Sequence, residues 1–447
     1  SALLRDRLFQ VGFGLVFLLT FWNITSWFFV GMPALPILNG PASKHLIPLG
    51  DGFPTFRFTL SILTLVFGYF SKSDVLFSIW FFHLLAILQM GLFNRFGISK
   101  GGSDPWGSFD PTVGWQSLGG MLVFVGWGLW MARVHLKEVL TSALRGRSRV
   151  DDSGELISYR WSVFLLLASG VYILLFLRST GLEWLPLLAF CAATGIIYLG
   201  LARIVVESGL VFMRGPISAQ AFAWHVVGMT HMSAPSAAAL AFTFTIFCDA
   251  KTFAMTAMAH VPRLGEAVTK QMRKQIAPAV LLAALVGFVT VITSILYQAY
   301  YVSGSYNFGV VSFNGSSDGA VGIWQLTASR IQSGSLSPDL GRIGFFGIGA
   351  AVVGLLLYAR YVFPGFPLNP LGFTIAANAI TQNVVVSIFI VWAIKSVIMR
   401  VGGLDRYRKT APFFLGMLMG YLAAATLGVV VDAIWFPGEG HALLTSF

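Results

Sequence analysis

The stretch from Leu201 to Lys274 reads LARIVVESGLVFMRGPISAQAFAWHVVGMTHMSAPSAAALAFTFTIFCDAKTFAMTAMAHVPRLGEAVTKQMRK, and it decides the fold class. It is largely apolar, but ionisable residues and prolines interrupt it at Arg203, Glu207, Arg214, Pro216, His225, His231, Pro235, Asp249 and Lys251. Ionisable groups at membrane depth are costly and usually face a bundle interior or a wet cavity. Broken backbone is tolerated there only where protein or water satisfies its polar groups. The stretch therefore predicts a polytopic membrane protein with a broken, polar centre.

The composition of the whole chain predicts the same class of protein. Its 447 residues are 56% hydrophobic and only 11% charged, whereas a soluble domain carries about 25% charged residues. The net charge is +11, but the basic residues cluster between apolar segments, as they do in cytoplasmic loops of membrane proteins. We therefore expect the anionic headgroups of the lipid bilayer to supply the counter-charge, and we expect no nucleic-acid partner.

No motif in the sequence indicates an enzyme or a cofactor site. There is no nucleophile elbow, P-loop, HExxH or dinucleotide-binding fingerprint. The two cysteines, Cys191 and Cys248, lack the CxxC or Cys/His spacing of thiolate metal sites and iron–sulfur clusters. We therefore predict no enzymatic activity, no catalytic residue, no cofactor and no bound metal.

The apolar segments predict how often the chain crosses the membrane. A spanning helix needs about 20 apolar residues. Nine segments meet this requirement: 8–31, 55–71, 75–94, 112–134, 161–178, 183–206, 276–301, 343–362 and 412–436. Two further segments, 217–248 and 366–394, are apolar but interrupted. The prediction is an all-α polytopic bundle of about 9–11 spans with two broken or re-entrant segments, in which the turn Ser71–Asp74 joins the second and third spans into a tight hairpin.

Basic residues predict the orientation of a single integral membrane domain over 1–447. They cluster around 133–160, 251–274 and 395–409. If both broken segments are re-entrant, all three clusters and the N-terminus lie in the cytoplasm, which satisfies the positive-inside rule. Loop 137–159 is then a cytoplasmic linker, and loop 302–341 is an extracytoplasmic cap with a short helix. If both segments are simple spans, the chain crosses eleven times, and loop 302–341 lies inside.

The two topologies predict opposite labelling of the polar loop. A cysteine placed at Ser316 is expected to react with a membrane-impermeant maleimide on intact cells if the broken segments re-enter. In the eleven-span alternative it reacts only after the cells are permeabilised. The loss of labelling on intact cells, with an external control cysteine reacting, would exclude the re-entrant topology.

The two broken segments are preceded by similar sequence features. Arg203 ends one span and is followed by Gly215-Pro216 and a broken stretch, whereas Arg360 ends another and is followed by PGFPLNP at 364–370 and a second broken stretch. Paired interrupted segments are the best sequence pointer to the central site of a transporter. A chance likeness of two apolar segments is the alternative.

Several residues are candidates for a substrate or ion pathway. Arg203 and Glu207 are four residues apart and share a helix face, either as a structural ion pair or as a charge pair facing a substrate. Asp249 and Lys251 follow the run AFTFTIFC, where a carboxylate at the end of a half-helix could bind a cation or carry a proton. The alternative for this second pair is a loop just outside hydrocarbon.

The remaining candidates carry imidazole or amide groups. His225 is six residues from His231, which does not place both on one helix face, so we expect at most a proton relay. Asn369 precedes Pro370 and predicts a helix start, whereas Asn378 is expected to join helices through its amide. Glycines that predict close helix packing are found at Gly119, Gly120, Gly416 and Gly420.

Several motifs carry a resemblance to a known group of proteins. The hairpin sequence FRFTLSILTLVFGYFSKSDVLFSIWFFHLL at 56–85 resembles a stretch of oligopeptide-transporter-like proteins in which one span turns tightly into an aromatic one. ARIVVESGLVF, FPLNPLGF, WAIKSVIMRVGG and PFFLGMLMGY are similar to uncharacterised bacterial polytopic membrane proteins that are themselves distantly similar to the oligopeptide transporter superfamily. The resemblance implies a secondary-transporter-like bundle in the bacterial cytoplasmic, or inner, membrane.

Two functional hypotheses follow. The first is a transporter-like protein that moves a small solute or a peptide-like substrate with a coupled cation or proton. The second is a non-transporting structural subunit of a larger membrane complex, which fits the sparse ionisable groups and many aromatic residues. A homo-oligomer and a larger membrane assembly are both compatible with the sequence.

Overall fold

The computed structural model describes residues 2–29, 31–35, 45–98, 100, 102–107, 110–145, 155–210, 213–247, 255, 258–262, 270–302, 320–334, 337–436 and 441. Within these ranges most of the chain is helical, with almost no sheet. The first helices are α1 (Arg7–Thr25), α2 (Ile62–Phe70), α3 (Ser73–Arg95), α4 (Pro111–Met131), α5 (Arg133–Arg145), α6 (Tyr159–Ser179) and α7 (Trp184–Ser208). The later helices are α8 (Ala219–Val227), α9 (Ala234–Phe242), α10 (Lys270–Tyr297), α11 (Ala320–Ser333), α12 (Leu340–Val362), α13 (Pro370–Ile375) and α14 (Ala379–Trp435). Strands β1 (His45–Ile47) and β2 (Phe56–Phe58) form an antiparallel pair in which Leu46 faces Arg57.

Short polar side chains start many of these helices. Asp6 accepts hydrogen bonds from the backbone at the start of α1, and Asp110 does the same for α4, where Pro111 occupies the first turn. Aspartate before a helix satisfies backbone N–H groups that have no partner within the helix. The predicted helix start at Asn369-Pro370 is confirmed, because Asn369 caps α13 and Pro370 is its first residue.

The helices form an all-α polytopic bundle, as predicted. Seven of those described are long and apolar enough to cross a membrane, and an eighth span results if α4 and α5, which are bent by 64° at Ala132, count as one. Eight of the nine predicted spans therefore have a matching helix. The remaining prediction, a span at 55–71, is wrong. Strand β2 and the capping residue Ser61 occupy the first part of this segment, so its helix begins only at Ile62. Its helix α2 has nine residues, or about 14 Å, too short for a hydrocarbon core of about 30 Å.

The first broken segment, 217–248, consists of short helices. Two α-helices of nine residues, α8 and α9, are each followed by one turn of 3-10 helix, at Met229–His231 and Thr243–Thr245. Gly228, with a φ of 77°, separates α8 from the first of these turns. That left-handed conformation suits glycine because it has no Cβ. Neither helix is long enough to cross a bilayer on its own.

The second broken segment, 366–394, contains the six-residue helix α13 and the beginning of α14. Helix α14 is itself interrupted at Gly403, whose φ of 58° and ψ of −157° lie outside the helical region. Tyr69 contacts both sides of this kink. The carbonyl oxygen of Tyr69 accepts a hydrogen bond from Lys395, and its ring stacks on Tyr407 and Phe414. The chain therefore folds back at Gly403, and the predicted span 412–436 is the second half of α14.

Glycines allow the closest helix contacts in the bundle. A Cβ at Gly119 would collide with the carbonyl of Phe346, and one at Gly349 would collide with the carbonyl of Gln116, so α4 and α12 touch backbone to backbone. Gly416 and Gly420 lie equally close to the backbone of Phe9 and Phe13 in α1. The predicted packing role of these glycines is confirmed.

The two predicted loops contain helices. Helix α5 (Arg133–Arg145) covers the first part of the expected linker 137–159 and the four residues before it. The expected short helix of loop 302–341 is α11. Helix α11 packs against α9, and its Ile323 and Thr327 are buried. Among the spanning helices, α6 and α10 are the least buried by the rest of the bundle. In α10 no residue of its most apolar 18-residue window is buried, so its surface is available to lipid or to another protein.

Candidate functional site

Two polar regions lie at opposite ends of the paired helices α4 and α12. Both helices begin near Asp104 and end at an open groove of about 490 Å³. We call this space the Arg203 groove. It is lined by Lys72, Asp74, Phe124, Trp127, Met131, Arg203, Glu207, Leu357, Arg360, Tyr361, Asn369 and Pro370. The groove brings together three predicted pathway residues, Arg203, Glu207 and Asn369.

The first wall of the Arg203 groove is the ion pair near the end of α7. Arg203 Nε lies 2.6 Å from Glu207 Oε1, and both side chains are about one-third exposed. Arg203 Nη1 also donates to the carbonyl oxygen of Phe124 at 2.6 Å, and its Cζ lies 4.0 Å from the centre of that ring. The predicted intrahelical ion pair is therefore confirmed, and it anchors α7 to α4.

The second wall carries an ion pair that the sequence did not single out. Arg360 Nη1, at the end of α12, lies 3.2 Å from Asp74 Oδ2 in the first turn of α3. Asn369 Nδ2 donates to the same carboxylate oxygen at 3.0 Å, and its backbone N–H donates to Ser78 Oγ. The groove therefore presents three cations, Lys72, Arg203 and Arg360, and two anions, Asp74 and Glu207. The break before α13 is held against Asp74.

The second broken segment contacts the loop that leads into the first one. Asn378, which caps α14, donates from Nδ2 to the backbone carbonyl of Arg214 at 2.8 Å. Asn378 therefore joins the start of α14 to the loop between α7 and α8, rather than to a second helix. The break between α13 and α14 is further held by His83, whose Nδ1 lies 2.7 Å from the carbonyl oxygen of Ala376. The Arg214 guanidinium lies 4.8 Å over the ring of Trp106, a residue in the left-handed region with a φ of 56°.

A buried charged group lies at the other end of α4 and α12. We call it the Asp104 cluster: Asp104, Trp115, His225, Asp339 and Arg342. Asp104 Oδ1 lies 3.0 Å from His225 Nε2 and 3.6 Å from Arg342 Nη2, and Asp104 Oδ2 accepts from Trp115 Nε1 at 3.1 Å. Arg342 Nη1 pairs with Asp339 Oδ2 at 2.6 Å. These contacts join the loop before α4 to α8 and to the start of α12.

The charges in the Asp104 cluster depend on one another. Burial alone would raise the pKa of Asp104, but the hydrogen bond and charge of His225, the charge of Arg342 and the hydrogen bond from Trp115 hold it below its ordinary value of 3.8. Arg330 of α11 lies next to the cluster, with its Cζ 4.5 Å over the ring of Trp224. Burial lowers the pKa of Arg330 to about 10, against the attraction of Asp104. Asp104 is therefore ionised at neutral pH and offsets buried cations.

The structure thus divides the predicted residues between two places. Arg203, Glu207 and Asn369 line the groove, whereas His225 belongs to the Asp104 cluster at the other end of α4. Asp249 and Lys251 lie outside the described residues, so their predicted role stays a prediction. Sequence reasoning missed Asp104 and Arg342, which are 238 residues apart and have no local pattern that links them.

These features define an integral membrane protein built as a polytopic α-helical bundle with two interrupted segments. The chain belongs to a family of unknown function, DUF6785, whose model matches residues 1–442. No curated protein and no solved structure matches the chain.

Proposed function

We propose that this protein is a secondary-transporter-like protein of the bacterial cytoplasmic membrane, with its N-terminus in the cytoplasm. The Arg203 groove binds a small zwitterionic solute, such as an amino acid or a short peptide. The observation that carries the proposal is the lining of this groove by two ion pairs, Arg203–Glu207 and Asp74–Arg360, next to a broken helix. The proposal agrees with the resemblance to the oligopeptide transporter superfamily.

The charges of the groove suit a ligand that carries both signs. A guanidinium binds a carboxylate through two parallel hydrogen bonds, and a carboxylate of the wall accepts from an ammonium group. The Arg203–Glu207 and Asp74–Arg360 pairs each offer one group of each kind, Lys72 adds a third cation, and Asn369 adds an amide. A zwitterion can therefore exchange partners with the resident ion pairs without leaving either charge of a pair without a partner.

The contact between the second broken segment and the loop before the first one supports movement of a solute rather than binding alone. In secondary transporters, substrate sites lie where interrupted helices from two halves come together. Here Asn378 of the second broken segment contacts Arg214, just before the first, and α13 connects that contact to the groove.

The groove is tested by ligand binding to the purified protein in nanodiscs. We expect amino acids or dipeptides from a screening panel to raise the melting temperature. Glu207→Gln is expected to weaken binding of the best solute about tenfold or more, because it removes one charge-assisted hydrogen bond. Isothermal titration calorimetry measures the change.

The matched control is Asp405→Asn, at an exposed position of α14 that does not line the groove. It changes one charge and should leave solute binding unaltered. Wild-type affinity in Glu207→Gln would remove the Arg203 groove as the binding site. A panel in which no zwitterion shifts the melting temperature would contradict the proposed substrate class.

A second candidate function is a structural subunit of a larger membrane complex. The observation in its favour is the poor internal packing of α6 and α10, which present apolar surface on most of their circumference. Extraction from native membranes in a mild detergent, followed by native mass spectrometry, separates the two functions. A fixed stoichiometry with other membrane subunits would favour the structural function, whereas a single species or a homo-oligomer would favour the transporter.

A further inference from the structure

The chain bends sharply between α4 and α5. We call this bend, with the two helix segments beside it, the α4–α5 elbow. Helix α4 is a spanning helix by composition, and α5 departs from its direction by 64° immediately after Ala132. A helix that leaves a span at such an angle runs along the membrane surface more than through it. Helices of this kind carry apolar residues toward the acyl chains and basic residues toward the headgroups.

The residues of α5 have this two-sided arrangement. Leu136, Leu140 and Leu144 are each four residues apart and form one stripe, in which all three side chains are exposed. Arg133 and Lys137, also four residues apart, flank that stripe. Long basic side chains beside an apolar stripe place their stems on hydrocarbon and their charges in the headgroup layer.

A groove runs along this face of the elbow. Its volume is about 1360 Å³, larger than the roughly 300–1,000 Å³ of pockets for drug-sized ligands. The lining combines the leucine stripe with both cations: Leu129, Arg133, Val134, Leu136, Lys137, Glu138, Leu140, Thr141, Ser142 and Leu144. The groove therefore has an apolar floor and a cationic edge on the same helix.

The cationic edge is positioned at the level of the headgroups. Arg133 donates from Nη1 to the carbonyl oxygen of Trp130 at 2.8 Å, and its Cζ lies 4.5 Å over the ring of Trp130, which is itself exposed. Exposed tryptophan at the end of a span marks the membrane–water interface. Within the described ranges, neither Arg133 nor Lys137 pairs with a carboxylate, so both charges are available to a ligand.

We propose that the α4–α5 elbow is a binding site for one anionic phospholipid. The phosphate binds between Arg133 and Lys137, and an acyl chain packs along Leu136 and Leu140. Charge complementarity and the apolar floor both select this ligand, because a free phosphate would use only the cations and a zwitterionic lipid would gain less from them. The site lies on a different face from the Arg203 groove, and it does not depend on the proposed transport function.

The test uses the full-length protein in a mild detergent, titrated with phosphatidylglycerol and followed by native mass spectrometry. One phosphatidylglycerol is expected to bind per chain, and phosphatidylcholine is expected to bind more weakly. The double substitution Arg133→Gln/Lys137→Gln should weaken phosphatidylglycerol binding roughly thirtyfold, as the loss of two surface cations near an anionic headgroup predicts. Leu140→Asn, which keeps both cations, should also weaken it.

A matched control has the same change of charge elsewhere. Arg408→Gln/Lys409→Gln alters two exposed basic residues of α14 and should bind phosphatidylglycerol as the wild type does. Equal weakening in the control and in the elbow variant would overturn the proposal, because it would reflect net charge alone. Equal competition by inorganic phosphate, or unchanged binding in Leu140→Asn, would overturn it as well, since the acyl chain would then have no role.

Discussion

Replacing Asp104 by alanine is expected to lower the free energy of unfolding by about 3–5 kcal/mol, the cost of breaking a buried ion pair by removing one partner. Asp104 accepts hydrogen bonds from Trp115 and His225 and lies 3.6 Å from Arg342. The alanine variant leaves these donors buried without their acceptor. Unfolding of the detergent-solubilised protein by increasing SDS or urea, followed by circular dichroism, measures the loss.

Two further variants separate charge from shape. Asp104→Asn keeps the size of the side chain and an oxygen acceptor, so we expect a smaller loss than with alanine. Asp51→Ala is the control, because Asp51 is an exposed aspartate in a turn, where substitutions usually change stability by less than about 0.5 kcal/mol. If Asp104→Ala and Asp51→Ala are equally stable, the Asp104 cluster does not hold the bundle together.

The same residue predicts a pH dependence. The pKa of Asp104 in the folded protein is below its ordinary value of 3.8. Its contribution is therefore fully present above pH 3.8 and is lost as the pH falls through the lower, folded value. The stability difference between the wild type and Asp104→Asn should accordingly shrink at acidic pH. An unchanged difference across that range would show that the carboxylate charge is not what the cluster uses.

Gly349→Ala is expected to destabilise the bundle by about 1–3 kcal/mol, the range for overpacking a tight contact. The added methyl group would meet the backbone of Gln116, which cannot rotate away as a side chain can. The helices α4 and α12 must then separate, and this contact lies between the Asp104 cluster and the Arg203 groove. Equilibrium unfolding measures the stability, and solute titration shows whether the groove changes with it.

The same helix offers a control of opposite sign. Among the described residues, nothing lies within 4 Å of a Cβ built at Gly354. Gly354→Ala should therefore be neutral or stabilising by up to about 1 kcal/mol, because alanine favours the helix over glycine. A loss of the same size in both variants would point to a general requirement for glycine in α12 rather than to contact with α4.

The sequence predicted the spanning helices well because each depends on a local run of apolar residues. Helices α3 and α12 correspond to predicted segments within a few residues. The prediction failed at 55–71, where the run is equally apolar but a strand and a serine cap shorten the helix. Hydropathy does not indicate the residue at which a helix begins. The nine-residue α2 was therefore predicted as a span over all of 55–71.

The site was predictable only where its partners are close in sequence. Arg203 and Glu207 were paired by their spacing of four, and Asn369 and Asn378 were recognised from the residues that follow them. The Asp104 cluster depends on tertiary packing of α8 and α12 against the loop before α4, and no spacing encodes that. Asp74 was visible only as part of a turn, since its partner Arg360 is 286 residues away.

The fold-back at Gly403 has a mechanical consequence for the groove. Lys395 donates to the backbone carbonyls of Tyr69 and Ser71, so the turn that leads to Asp74 is fastened to α14. The opposite wall is fastened elsewhere, since Arg203 is bound to the Phe124 carbonyl of α4. Different helices therefore hold the two sides of the Arg203 groove: α4 holds Arg203, and α14 holds the turn before Asp74. The Asp74–Arg360 pair connects these two attachments, because α12, which carries Arg360, packs against α4. We therefore expect any widening of the groove on the Asp74 side to break this ion pair.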